Sequence, residues 1–214
     1  MPKFEIIRDP AVLAERLQAA TRPRALALDL ATSTGYACAE FDPDQPITVD
    51  RLLPTLVMGQ LDLSAGQYDS GAIRFVKLRQ FLDAAKPSII FYEQIRDTPP
   101  MAGTRAMMAA IVARVYTAAK LAGAFIGTVC CWAEERNIPC VGLEIGQIKK
   151  RATGKGNAGK PAMIEACNAM FGTELEVDGF ETSGCDNIAD AAHILLLGLE
   201  TYGKGCTDDD RTEQ

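Results

Sequence analysis

The sequence predicts an α/β protein in which helices flank a mixed β-sheet. Three observations predict it. Two short apolar runs, Ala25-Leu26-Ala27-Leu28 and Ser88-Ile89-Ile90-Phe91-Tyr92, read as buried strands, and each runs into a carboxylate, Asp29 and Glu93. Longer segments elsewhere carry apolar residues at helical spacing. The order along the chain is three strands, helix, strand, helix, strand, helices.

Each element has its own local signal. Residues 9 to 20 read as a helix, with Asp9 as cap, Pro10 in the first turn and Val12, Leu13 and Leu17 on one face. Pro23 precedes the first core strand, about 25 to 30. A turn at Thr32 to Gly35 leads to a second strand, Tyr36 to Phe41, and the loop Asp42-Pro43-Asp44-Gln45-Pro46 ends it. A third strand lies between Ile47 and Leu63, so the first three form an antiparallel meander. Residues 70 to 85 place Ile73, Val76, Leu78, Phe81 and Leu82 at nearly helical spacing, and Lys86-Pro87 ends that helix. The fourth strand is Ser88 to Glu93. A long helix, or two meeting near Gly123, follows from Thr104 to about Arg136. Pro139 to Glu144 is a fifth strand, and helices over about 159 to 171 and 187 to 201 complete the chain.

At 214 residues with 48% apolar content the chain suits one domain, expected over residues 1 to 202. Residues 203 to 214, with Asp208-Asp209-Asp210 and Glu213, read as a disordered acidic tail. No apolar run is long enough to span a bilayer, and Met1-Pro2-Lys3-Phe4-Glu5 lacks a signal core, so a cytoplasmic protein without a membrane partner is expected. Seven cysteines without a Cys-x-x-Cys pair argue against a zinc site or a disulfide framework and for reduced core or boundary thiols. Net charge is -6 with a pI near 4.9, which disfavours a non-specific nucleic-acid coat. Charge is local, however: residues 149 to 160 carry Lys149, Lys150, Arg151, Lys155 and Lys160 and no acid.

Three separated acidic sites, Asp29, Glu93 and the pair Asp186 and Asp190 at the start of an apolar helix, suggest a divalent-metal site. A carboxylate at the mouth of a buried strand is costly unless something positive meets it. Each also has a structural reading. Asp29 suits the cap of a turn, Asp186 suits a helix N-cap, and Asp190 within an apolar helix faces either solvent or a metal. The Lys/Gly segment suits a solvated loop or a phosphate contact, and it lacks the Walker spacing. His193 reads as a satisfied core histidine, and Trp132 and Met107-Met108 as core or interface.

The chain resembles RuvC-type Holliday junction resolvases, especially those of bacteriophages and prophages. The resemblance rests on four places in order: Leu26-Ala27-Leu28-Asp29 followed by Gly35-Tyr36-Ala37; Ile90-Phe91-Tyr92-Glu93-Gln94; Ile148-Lys149-Lys150 through Thr153-Gly154-Lys155-Gly156 to Lys160; and Asp186-Asn187 through Ala189-Asp190-Ala191. It implies a ribonuclease-H-like fold, with a mixed five-stranded sheet flanked by helices. It implies a homodimer that cuts four-way DNA junctions by phosphodiester hydrolysis with a pair of Mg²⁺ or Mn²⁺ ions. Asp29, Glu93 and Asp190 are then metal ligands. The family's fourth ligand position holds Asn187, which offers an oxygen but no charge, and Asp186, one turn from Asp190, is the alternative for that position. Arg96 stands where well-known members place an aromatic wedge. Lys149, Lys150, Arg151, Lys155 and Lys160 become DNA contacts, with Gly154, Gly156 and Gly159 permitting close approach of the backbone. The Ala-rich helix from Thr104 is the expected dimer interface, because small residues permit close helix approach.

Other functions fit parts of the pattern. A non-catalytic binder of branched nucleic acid suits Asn187 and the acidic net charge. A nuclease acting on hybrid or structured RNA uses the same chemistry. Asp29-x-x-Thr32-Ser33-Thr34-Gly35 also resembles the first phosphate loop of the sugar kinase and actin superfamily, an ATP-binding phosphotransferase reading that needs a second domain.

Overall fold

In the computed structural model, the described residues are 6–7, 12, 15, 22–95 and 105–203. The strands are β1 (Ile6–Ile7), β2 (Arg24–Asp29), β3 (Ser33–Glu40), β4 (Val57–Asp62), β5 (Ile89–Gln94) and β6 (Cys140–Glu144). The helices are α1 (Val49–Leu52), α2 (Ile73–Ala85), α3 (Arg105–Glu134), α4 (Ile145–Thr153), α5 (Lys160–Phe171), α6 (Phe180–Ser183) and α7 (Cys185–Tyr202). The expected helix over 9–20, Thr104, Arg96 and the tail beyond Gly203 lie outside the described residues, apart from Val12 and Glu15, which are helical.

The strands form one mixed sheet in the order β1-β4-β3-β2-β5-β6. The meander is present: β2 pairs antiparallel with β3, and β3 with β4. β5 then adds to the other side of β2 in parallel, and β6 to β5. The five expected strands are joined by a two-residue edge strand, β1, parallel to β4. So short a strand has no recognisable pattern of its own and exists only through its neighbour.

The period of two along the strands divides the core into two layers. Ala25, Ala27, Ile89 and Phe91 face α7, which lies along the sheet with α4 and α5 behind it. Leu26, Leu28 and Ile90 face the opposite way, toward Leu78, Phe81 and Leu82 of α2 and Phe125, Val129 and Trp132 of α3. α7 is buried on nearly every side, which explains its almost unbroken apolar sequence. His193 belongs to this core, its Nε2 3.0 Å from the carbonyl oxygen of Met163. Trp132 is also a core residue, and its Nε1 donates to Asp83 at 2.9 Å. Arg24, buried at the start of β2, donates from Nη1 to the Ala85 carbonyl at 2.6 Å and ties the sheet to the end of α2.

Of the two alternatives for the segment around Gly123, the single helix holds over residues 105–134. One point departs from the sequence reading. Residues 149–153, read as part of a basic loop, are the end of α4, which stops at Gly154 with φ +78° and a hydrogen bond from its N–H to Lys150 O at 2.9 Å. Gly154 therefore serves as a helix terminator.

The described cysteines are free thiols, and Cys130 and Cys140 bring their sulfurs to 3.7 Å. No helix among the described residues is long and apolar enough to cross a membrane.

Two glycines give a paired test of the packing. A Cβ on Gly198 would lie 2.4 Å from the Phe91 ring, whereas one on Gly127 meets nothing within 4 Å. Gly198→Ala should destabilise by about 1–3 kcal/mol through overpacking. Gly127→Ala should be neutral or stabilise by up to about 1 kcal/mol through helix propensity. Urea unfolding of both variants measures the contrast.

Candidate active site

β2 and β5 are parallel neighbours in register, with Ala27 opposite Phe91 and Leu28 opposite Tyr92. One residue further, Asp29 and Glu93 lie side by side at the same end of the sheet. Both follow the parity of Ala27 and Phe91, so both belong to the face that carries α7. The first turns of α7 bring Asp186, Asn187 and Asp190 to this same end. Asp29 does not cap the turn that follows it. Thr34 does, donating from Oγ1 to Ala31 O at 2.6 Å and accepting from the Ala31 N–H at 3.3 Å. Asp29, Glu93 and Asp190 accept no hydrogen bond from any donor among the described residues.

Gly35 makes this convergence possible. It pairs with Asp29 across the β2–β3 ladder. A Cβ built on it would lie 1.9 Å from the carbonyl oxygen of Asn187 and 2.2 Å from the carbonyl carbon. The backbone of α7 therefore sits directly against β3. Asn187 fastens the contact, donating from Nδ2 to Ser33 O at 2.8 Å. Ser33 is held in turn by Gln60 of β4, whose Nε2 donates to Ser33 Oγ. Sequence reading missed Gln60, because a polar residue in a half-buried strand has no local mark of function.

The electrostatics follow from burial. Burial raises Asp29 well above the ordinary carboxylate range, aided by the charges of Asp190, Glu93 and Asp186 and opposed by Lys160. Asp190 is pushed up to about 7, first by burial, then by Glu93 and Asp186, with Lys160 and Lys149 opposing. Glu93 is raised by burial and opposed by Lys149. Asp186, 5% exposed, is engaged by Lys160, whose Nζ donates to its Oδ2. For Lys160, burial works against the charged form, yet Asp186, Asp190 and Asp29 raise it overall. Lys160 Nζ also stands 5.7 Å over the Phe180 ring.

The five cations expected to face DNA therefore divide. Lys160 points into the acidic cluster and Lys149 stands close enough to oppose it. Lys150 and Lys155 are exposed. Arg151 is bound by Glu200, with Nη2 2.5 Å from Oε1 and Nε 2.9 Å from Oε2. Its Nη1 meets Met170 Sδ at 3.3 Å.

Among the described residues, no group of three or more His, Cys, Asp or Glu side chains is arranged, as it stands, to hold a metal ion. Asp186 is turned onto Lys160 instead. The chemistry of the donors nonetheless suits a hard divalent cation. They are oxygens drawn from β2, β5 and α7, they lack hydrogen-bond donors, and mutual repulsion among them calls for positive charge.

No family model matches the chain, and no curated protein matches its sequence. Comparison with solved structures does give a match. Thermus thermophilus RuvC in complex with Holliday junction substrate aligns over 84% of this chain and 94% of its own, with TM-score 0.54 and 15% identity. A second Thermus thermophilus RuvC structure aligns over 84% and 96%, with TM-score 0.54 and 14% identity. The fold is RuvC-like. It has the mixed sheet and flanking helices of the ribonuclease-H-like class, as the sequence resemblance implied.

The raised carboxyl groups predict how stability depends on pH. A carboxyl whose folded pKa exceeds its unfolded value holds its proton more tightly when folded. Its stabilising contribution is complete below the unfolded value, near 3.8 for Asp190, and is lost as pH rises through about 7. In EDTA, the wild-type Tm should therefore fall by several degrees more between pH 5.5 and 8 than that of Asp190→Asn, at about 2–4 °C per kcal/mol. Thermal melts of both proteins across this range check the sign.

Proposed function

We propose that the protein is a divalent-metal-dependent endonuclease that cuts four-way junctions and related branched DNA. One observation carries the reading: Asp29, Glu93 and Asp190, from three separate elements, meet at one end of the sheet without hydrogen-bond donors. Structural carboxylates this buried are normally paired. The RuvC-like fold supports the choice of reaction, since one of the similar structures is a complex with a Holliday junction substrate.

In this reading Asp29, Glu93 and Asp190 hold Mg²⁺ or Mn²⁺, two ions per site, and Asp186 joins them when Lys160 leaves it. The ions supply activation of water and stabilisation of the leaving oxygen in phosphodiester hydrolysis. Asn187, at the fourth ligand position, fastens α7 to β3 through its amide, leaving charge to Asp186. Lys149 offsets negative charge beside Glu93 and Asp190 and is placed to meet a phosphate, while Lys150 and Lys155 neutralise the DNA arms. Arg151 acts on the DNA only by exchanging Glu200 for phosphate. Arg96 is assigned to the junction, and a homodimer through α3 presents two sites to a two-fold substrate.

The test is incubation of the full chain with a labelled immobile four-way junction, or the matched linear duplex, in Mg²⁺, Mn²⁺ or EDTA. Paired symmetric nicks on the junction alone, lost in EDTA, are expected. Tight junction binding without nicks in either metal favours a non-catalytic binder. The observation behind that second reading is that Asn187 and Asp186 are both engaged within the protein.

A further inference from the structure

We propose that Tyr68 is a base-stacking residue with which the acidic end of the sheet distinguishes branched DNA from linear duplex. The proposal rests on the nuclease reading above. Tyr68 is 94% exposed, whereas the next most exposed of the large apolar side chains among the described residues, Val76, is 47% exposed. Aromatic rings carry a large apolar area and are normally well covered, so a ring left wholly in water is available for a partner.

The ring is held out by a fastened loop. The Asp69 N–H donates to Gly66 O at 3.1 Å, and the Gly66 N–H donates to Asp69 Oδ2 at 2.9 Å. These two bonds close a turn with Gln67 and Tyr68 at its tip. On one side of the turn, the Ser64 N–H donates to Asp62 Oδ1 at 2.8 Å and Lys77 Nζ donates to Ser64 O at 2.7 Å. On the other, Ser70 accepts from Ala72 N–H at 3.1 Å and from Ile73 N–H at 3.0 Å. The loop backbone is therefore tied on both sides of its tip, which lowers the entropic cost of using the ring.

The loop springs from the acidic end of the sheet. Asp62 pairs with Ser33, and the Leu63 N–H donates to Thr32 O at 2.7 Å. Thr32 and Ser33 belong to the turn that follows Asp29, and Ser33 O is the group that Asn187 grips. Tyr68 and the carboxylates thus share one anchoring turn. The one acid near the tip, Asp69, is occupied by Gly66. Arg74, at the start of α2, has a buried Nε without a hydrogen-bond partner among the described residues.

A linear duplex offers no free base face, whereas bases at a branch point can be unstacked. A tyrosine ring stacks on any base, so Tyr68 contributes selectivity for structure without selectivity for sequence.

The experiment measures binding of the full chain to a four-way junction carrying 2-aminopurine at the branch, and to the matched linear duplex, in EDTA. Wild type is compared with Tyr68→Ala, Tyr68→Phe and the neighbouring control Gln67→Ala. Tyr68→Ala should weaken junction binding by about 5- to 150-fold and abolish the 2-aminopurine response, with linear-duplex affinity and Tm unchanged. Tyr68→Phe should restore both readouts and Gln67→Ala should leave them as in wild type. Junction binding by Tyr68→Ala equal to wild type overturns the proposal, as does equal loss on junction and duplex. A wild-type protein that neither binds nor nicks the junction overturns instead the nuclease reading on which the proposal rests.

Discussion

Replacing Asp29 by Asn is expected to lower metal-dependent junction cleavage by about 10³-fold or more while leaving binding in EDTA within a few-fold. The substitution preserves shape and removes one negative charge. If Asp29 served the fold, the variant would be less stable. It accepts no hydrogen bond among the described residues, and its carboxyl is raised by burial and by Asp190, Glu93 and Asp186. Removing the charge therefore relieves repulsion, and in EDTA at pH 8 the variant should melt at or above the wild-type temperature. Loss of activity together with unchanged or increased stability is the signature of a group kept for function. Glu93→Gln should behave alike. Full metal-dependent cleavage by Asp29→Asn would remove this residue from the site and overturn the assignment of the metal ligands.

Gly35→Ala is expected to destabilise the protein by about 3 kcal/mol, at the upper end of overpacking effects. The new methyl would lie 1.9 Å from the backbone carbonyl of Asn187. Backbone on both sides leaves no flexible atom to yield, so α7 must lift from β3. The lift breaks the bond from Asn187 to Ser33 and moves Asp186 and Asp190 away from Asp29. Cleavage should fall with stability, and raising Mg²⁺ should restore part of the activity if the ligands are merely displaced. Denaturant unfolding with a Mg²⁺ titration of cleavage separates the two effects. A variant as stable and as active as wild type would show that α7 does not depend on this contact.

Much of the fold was legible because its signals are local. Apolar runs of strand length ending at Asp29 and Glu93, the punctuation at Pro23 and Lys86-Pro87, and helical spacing from Ile73 to Leu82 each depend on neighbours a few residues away. The basic segment misled in its first part alone: Lys149 to Thr153 are the end of α4, whereas residues 154–159 do lie between helices. Glycine at the end of a helix and glycine in a loop look alike until the turn before it is seen.

The sequence by itself determined the five longer strands, the main helices and the acidic residues at their ends, because hydrophobic periodicity and the cost of burying charge act at short range. Only the tertiary structure decided how those residues combine. It set Asp29 beside Glu93 through parallel pairing of β2 and β5, and Gly35 against Asn187. It also turned Lys160 onto Asp186 and Arg151 onto Glu200. These partners are brought together by sheet register and helix docking across many residues of chain, where contact depends on the fold as a whole and leaves no local pattern.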